Sequence, residues 1–539
     1  MLVLLVGPGV LLHVLCSPRG RAVELPLHAA AFWVVAFWWM RLLPFDWHWP
    51  VVVLGASTLA AGLWLSRKSP PDLASALVWL AAAIVFVALS RSALVAPGVD
   101  GAMHTAVARV LADAHGRPAS FRPLWPLDFF HSYPVGQPTL TALLAELGGL
   151  DWRQAGLAGH ALAYALVMIA FAAAVSRWSS GRASGLAAGV LAVLAARAPL
   201  YFWTWGGAPN ALGIAFGVAA LAAGIDALQG DRRSVFACAL FAAASLLTHG
   251  TTAAAFSYAA LPMLAAALWL RPQLRRGFWQ LAAAAGIAIV LCAPYLAVLH
   301  RVLGPRELLW ARKTAIDSAA LRIFPQMLHD VPLLAGAAAA LLVLWRNPAR
   351  AVFPLALAAA LALLVLNGRI SLLPLSVLLY PDRVAVLLLL PIALLAHDAL
   401  EGRPRLAAVV IGVLLAHAAL LQSKALRAGR EHALATEADL RVIAELPDCP
   451  ILTNYGDAGQ WIPALAARPI TFPQVNLLFF DEVASRIHPC AAFRGEKRAY
   501  FVDTLPCPGP ACASERKEGG AELFRIVDPG FAVELDAYR

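Results

Sequence analysis

Charge is what this sequence is short of. Only 14% of its 539 residues are Asp, Glu, Lys or Arg, where a soluble domain carries about a quarter. With 61% hydrophobic residues and a mean hydropathy of +0.72, that shortage excludes a water-soluble enzyme and requires a polytopic membrane protein. Several signatures are missing too. There is no Walker A loop, no G-x-S-x-G elbow, no H-E-x-x-H pair and no G-x-G-x-x-G turn. Chemistry driven by cytoplasmic ATP is therefore not expected, and a substrate must arrive already activated. No long internal repeat and no low-complexity tract is present.

The charge that does occur is unevenly placed. The net charge is +10, yet residues 424–539 hold 13 Lys+Arg against 16 Asp+Glu, and residues 1–423 hold 29 against 16. The positive excess lies between apolar runs, where topology signals and anionic lipid head groups account for it. No nucleic-acid partner is expected, because that would concentrate the excess in a soluble domain.

Apolar runs near 2–16, 26–43, 50–65, 73–93, 154–176, 184–200, 209–228, 234–248, 252–270, 279–299, 331–346, 351–366, 384–399 and 405–422 predict about 12–14 transmembrane helices. The first lacks a basic n-region and reads as a retained helix. Residues 1–423 thus form a multi-span domain with one long loop, 94–153, and residues 424–539 a small soluble α/β domain. Residues 139–150 are too short to span and read as a helix lying in the interface.

Basic pairs and triplets alternate along the spanning part: Arg19/Arg21, Arg67/Lys68, Arg177/Arg182, Arg232/Arg233, Arg271/Arg275/Arg276, Arg346/Arg350 and Arg403/Arg405. Placed in the cytoplasm, they turn the long loop and the C-terminal domain outward from the plasma (inner) membrane. Cysteine usage points the same way. Cys16, Cys238 and Cys292 fall in apolar runs as packing residues, whereas Cys449, Cys490, Cys507 and Cys512 all lie in the C-terminal domain. An even set suggests two disulfides in an oxidising compartment, with a zinc site as the rival.

The outward segments hold the chemically distinctive residues. Asp100 and His104 lie one helical turn apart in Pro97-Gly-Val-Asp-Gly-Ala-Met-His104. A carboxylate there can act as general base on an acceptor hydroxyl, with His104 positioning that hydroxyl, a divalent metal ion or phosphate. The alternative is a helix cap with a solvated partner. Arg109, His131 and Tyr133 add cations and aromatic faces to the loop, suited to phosphate and sugar rings or to an interfacial aromatic belt. His249, Tyr380 and Arg383 stand at span ends, either as packing and snorkelling residues or as ligands of a lipid phosphate. Arg301, Arg306, Arg312 and Lys313 make an outward loop basic, against the topology rule unless an anion meets them.

Gly98-Val-Asp-Gly-Ala-Met-His104, Ala108-Arg-Val-Leu-Ala-Asp113 and Ser132-Tyr-Pro-Val-Gly136, with the tail's Asn454-Tyr-Gly-Asp-Ala-Gly-Gln-Trp461 and Arg468-Pro-Ile-Thr-Phe-Pro473, resemble the GT-C superfamily of integral-membrane glycosyltransferases. The resemblance implies transfer of a sugar from a polyprenyl-phosphate donor to a glycan, lipid or protein acceptor at the outer face, within a bed of membrane lipids. It maps the catalytic acid onto Asp100. The second carboxylate often adjacent in that family is absent, because Gly101 follows. A lipid-substrate transporter or flippase, and a lipid-linked glycan polymerase or ligase, are the alternatives. The first would place ionisable residues at mid-membrane, where His160, His397 and His417 are the main candidates.

Overall fold

Helix accounts for most of the chain, as a largely apolar sequence requires when its backbone must satisfy itself. The computed structural model describes residues 3–16, 22–44, 46–66, 72–116, 118, 120–125, 134–179, 181–270, 272–302, 331–346, 348–370, 373–374, 379–454, 456–471, 486–497, 512–528 and 532–534. Its helices begin with α1 (Val3–Cys16), α2 (Leu25–Met40), α3 (His48–Ser66), α4 (Leu73–Ser90), α5 (Val99–Asp113) and α6 (Gly136–Gly148). Next come α7 (Trp152–Trp178), α8 (Arg182–Ala195), α9 (Arg197–Trp205), α10 (Ala208–Leu228), α11 (Arg233–Thr248), α12 (Gly250–Leu270) and α13 (Phe278–Val302). After these follow α14 (Val331–Arg346), α15 (Pro348–Ile370), α16 (Pro381–Ala385), α17 (Leu389–Leu400), α18 (Pro404–His432), α19 (Glu437–Ala444) and α20 (Ile462–Ala466). Among the described residues, nine helical stretches are long and apolar enough to cross a bilayer, and α1, α8 and α11 are shorter apolar helices.

Contacts gather the chain into two compact units. The first contains residues 1–86, 162–202 and 209–424. Within it α1 packs between α2 and α3, α11 against α2 and α13, α12 against α15, and α14 against α17. Several buried charged and polar side chains inside it are paired. Arg177, almost fully buried, donates to Glu24 Oε2 at 2.7 Å and lies 3.4 Å from Asp226. Trp178 Nε1 donates to Asp398 at 2.9 Å.

The second unit contains residues 87–161, 203–208 and 425–539. Here α5 packs on α6 and on the segment 458–466 of the tail. Asp151 starts α7 by accepting the Gln154 N–H at 2.8 Å. The stretch expected to lie in the interface is α6, and it is buried along nearly its whole length, from Gly136 through Leu143. It lies inside this unit against α5 rather than presenting one face outward, because its Thr139, Leu140 and Leu143 are core residues. α18 continues past the last apolar run to His432, and α19 follows, restarted by a Thr436–Asp439 capping box.

The tail forms a four-stranded sheet in the order β1 (Ile451–Thr453), β3 (Ala491–Arg494), β5 (Ala521–Ile526), β4 (Cys512–Glu518). The pairing of β1 with β3 is parallel and the others are antiparallel, and β2 (Arg486–Ile487) pairs separately with β6 (Val533–Glu534). Cys449 and Cys490 form a disulfide at the starts of β1 and β3, and Cys512 is also disulfide-bonded. Cys507 lies outside the described residues. Cys16, Cys238 and Cys292 are free thiols. Asp457 lies past the end of β1, accepting from Gly459 N at 2.7 Å and from Gly495 N, just past β3, at 2.9 Å. Its burial pushes the carboxyl up to about 6 against those stabilising hydrogen bonds. Asp439 is raised as well, again chiefly by burial.

Candidate functional site

In the second unit the start of α5 is held from two sides. Gly98 caps the helix at φ 73°, a region that favours glycine, and a β-carbon there would run into the backbone of Trp205. Gly206, at φ 87°, meets the same turn: a β-carbon on it would stand 3.0 Å from Asp100 Cβ and would strike the Gly101 nitrogen. Gly98 N also donates to His432 O at 2.9 Å. Gly98 rather than Asp100 therefore occupies the cap position. Asp100 stands half-buried in the first turn, where the helix macrodipole favours a carboxylate.

One turn on, His104 is 2% exposed, its ring centroid 6.4 Å from that of His160. It is not the solvated partner that a plain cap would have. His160 Nδ1 faces Gly156 O at 2.9 Å, and Thr105 donates to Gly101 O at 2.7 Å. On α6, Gln137 Nε2 donates to Thr141 Oγ1 at 2.9 Å. A buried strip of His and hydroxyl side chains thus backs the helix that carries Asp100. Among the described residues, no third His, Cys, Asp or Glu joins Asp100 and His104 in a metal-ligating group, so no step is assigned to a metal ion there.

Other loop residues have structural work. Arg109 Nη1 donates to Ala464 O at 2.7 Å and its Nε to Asp113 at 3.3 Å, tying the tail to α5. α5 ends in a Schellman turn: His115, at φ 51°, donates its N–H to Ala112 O, and Gly116 donates to Leu111 O. His131 and Tyr133 lie outside the described residues.

In the first unit a second cluster forms where α11 gives way to α12. His249 sits at that break, with Arg383 Nη1 3.2 Å from its Nε2. The Arg383 guanidinium lies over the Tyr380 ring at 4.4 Å. His249 Nδ1 is 2.9 Å from Thr252 Oγ1, which donates to Asn210 Oδ1 at 2.9 Å. His249, Tyr380 and Arg383 are thus brought together from distant parts of the chain. Ser245 and Gly250, beside His249, also line an apolar cavity of about 640 Å³ bounded by α10, α11, α12 and α13. Arg306, Arg312 and Lys313 lie outside the described residues, as does the side chain of Arg301.

Asn210 and Thr252 escaped sequence reasoning. The available signal was a lone amide in the apolar helix α10, since a polar side chain inside a span is costly without a partner. His397 and His160, weighed as mid-membrane ionisable groups, are buried and face Ser179 Oγ at 3.0 Å and Gly156 O respectively.

No protein-family model matches the sequence, and no curated protein matches it. Solved structures do. The crystal structure of ArnT from Cupriavidus metallidurans bound to undecaprenyl phosphate superposes with a TM-score of 0.56 at 16% identity, covering 83% of this chain and 97% of that one. The apo structure of the same protein gives 0.58 at 17% identity, covering 84% and 98%. This chain shares the polytopic helical fold of that protein.

Proposed function

We propose that this protein is a GT-C-fold membrane glycosyltransferase, moving a sugar from a polyprenyl-phosphate donor to a hydroxyl of a glycan, lipid or protein acceptor. We place the reaction at the outer face of the plasma (inner) membrane, on the charge alternation and the cysteine-bearing tail. The observation that carries the reading is the fold shared with ArnT, whose crystal form holds undecaprenyl phosphate. Two features support it. Gly250, next to His249 in the chain, lines a largely apolar cavity, the kind of surface that an isoprenoid tail requires, and Arg383 supplies a cation 3.2 Å from His249. Asp100 is held in the first turn of a helix gripped by glycine contacts.

In this reading Asp100 takes the proton of the acceptor hydroxyl. The freed oxygen attacks the anomeric carbon, and the bond from that carbon to the phosphate oxygen breaks. The electron pair leaves with the polyprenyl phosphate, and a single displacement inverts the anomeric centre. Arg383 is assigned to the charge of the departing phosphate, with Arg301, Arg306, Arg312 and Lys313 as further cations for the same anion.

The test uses purified full-length protein in lipid nanodiscs with polyprenyl-phosphate sugars and an envelope glycolipid extract. Sugar transfer with stoichiometric release of polyprenyl phosphate is the expected result. Leaflet-to-leaflet movement of intact donor in proteoliposomes, without that release, would make the protein a flippase. Consumption of polyprenyl-pyrophosphate glycans alone would make it a polymerase or ligase.

A further inference from the structure

The helix that carries Asp100 is fixed to the tail at two points, and at both the tail offers a carbonyl from a helix end. The last four carbonyls of a helix find no partner inside it. His432 O, at the end of α18, accepts the N–H of Gly98, the cap of α5, at 2.9 Å. Ala464 O, in the five-residue α20, accepts from Arg109 Nη1 at 2.7 Å. Ala464 is buried, so loss of that donor would strand its carbonyl. Gly98 and Arg109 lie about three turns apart, or roughly 16 Å of helix, with Asp100 between them. A slide or rotation of α5 must break one of the two bonds.

Arg109 has other commitments as well. Its Nε donates to Asp113 at 3.3 Å, which offsets the guanidinium charge one turn on. Its guanidinium carbon lies 6.0 Å from the centre of the Trp152 ring, at the start of α7. A cation with a carboxylate at hand and its Nη1 spent on a carbonyl is poorly placed to hold a phosphate, the role its residue type suggested.

The tail side of the tether is firm. Asp457 caps the turn that leads into α20 and binds Gly495 N beside β3. Ile470 N donates to Leu124 O at 3.1 Å, and Arg430 Nε donates to Ser92 O at 2.9 Å. All of these groups belong to the second unit.

We infer that Arg109 is a positioning residue for Asp100: by holding the Ala464 carbonyl it registers α5 against the tail, so that the tail sets the place of the base. This rests on the reading of Asp100 given above. The tail is then part of the active unit rather than an appendage to it.

The test follows sugar transfer and undecaprenyl phosphate binding separately, in full-length protein in nanodiscs with folding checked by gel filtration. Arg109→Ala should lower kcat by about tenfold or more, as a small misplacement of a reacting group does. Undecaprenyl phosphate binding and the donor KM should stay within about twofold of the parent protein, because no donor contact is removed. Arg109→Lys, which can still donate to Ala464 O, should recover kcat to within about threefold of the parent. The double variant with Asp100→Asn decides the route. Acting through the base, Arg109→Ala should slow Asp100→Asn by less than about twofold. Should Arg109→Ala fail to fold, Arg109→Met keeps an apolar stem, drops the donor and carries the same measurements.

The kcat of the parent in Arg109→Ala would overturn the inference. So would a raised donor KM and weakened phosphate binding at unchanged kcat, which would make Arg109 a donor ligand. Full additivity with Asp100→Asn would leave Arg109 a purely structural residue and overturn it equally. Full transfer in Asp100→Asn would instead remove Asp100 as the base, and this inference with it.

Discussion

Gly206 lies against Asp100, so that a β-carbon at position 206 would stand 3.0 Å from the Asp100 Cβ and would strike the Gly101 nitrogen. The contact is between a left-handed turn and the first turn of α5, backbone against backbone at the Gly101 nitrogen. The consequence is direct. Gly206→Ala combines an unfavourable φ with that clash, at a cost on the order of 1–3 kcal/mol. A lowered unfolding temperature of the full-length protein in nanodiscs, with transfer activity falling further than stability, is the expected outcome. Activity equal to that of the parent would mean that the position of Asp100 tolerates the shift.

Asp100→Asn keeps the shape of the side chain and removes the base. Transfer should fall by about 10²- to 10⁴-fold, the usual loss when a positioned proton acceptor is removed. Undecaprenyl phosphate binding should be unchanged. Turnover with a saturating polyprenyl-phosphate sugar gives the answer, and full turnover in the variant would remove Asp100 from the reaction.

Asp457 gives the tail a pH dependence of defined sign. Its folded value of about 6 lies above the ordinary 3.8, so between those values the folded tail holds a proton that the unfolded tail has lost. Stability therefore declines as pH rises from about 4 to about 6, by at most on the order of 3 kcal/mol for this group. Hydrogen exchange of the β1 amides, corrected for intrinsic rates, should show that decline. Asp457→Asn should flatten it while lowering stability overall, because one acceptor for the Gly459 and Gly495 N–H groups is lost.

The Cys449–Cys490 bridge closes a sequence separation of 41 residues. Replacing both cysteines with serine should cost the tail about 4 kcal/mol by the loop-entropy relation. Limited proteolysis within 450–490 should quicken accordingly. Transfer should persist at low temperature, where the tail still folds. An unchanged cleavage rate would show that the sheet alone holds these strands.

Arg177 is tied to Glu24 in the apolar part of the first unit, and both side chains are nearly inaccessible. Arg177→Met strands the carboxylate, which costs about 3–5 kcal/mol for a buried pair. Pairing it with Glu24→Gln should restore a good part of the unfolding temperature, because the more deeply buried of the two carboxylates beside Arg177 is then neutral.

Much was legible in the order of residues alone. Low charge and long apolar runs fixed a polytopic helical protein, because a bilayer accepts only backbone that satisfies itself. The helical period placed Asp100 and His104 on one face, and α5 forms where that spacing required. The cysteines of the tail announced a disulfide, and Cys449–Cys490 forms one. Such readings succeed because they depend on composition and on neighbours within a turn or two.

Only the tertiary structure decided the rest. Arg383 and His249 are 134 positions apart, and nothing local couples them; the packing of helices around α11 and α12 brings them within 3.2 Å. Packing within the second unit likewise buries His104, encloses α6 and commits Arg109 to the Ala464 carbonyl. A charge or an imidazole in a sequence has an identity but no dielectric and no partner. Burial supplies both, and burial is a property of the folded whole.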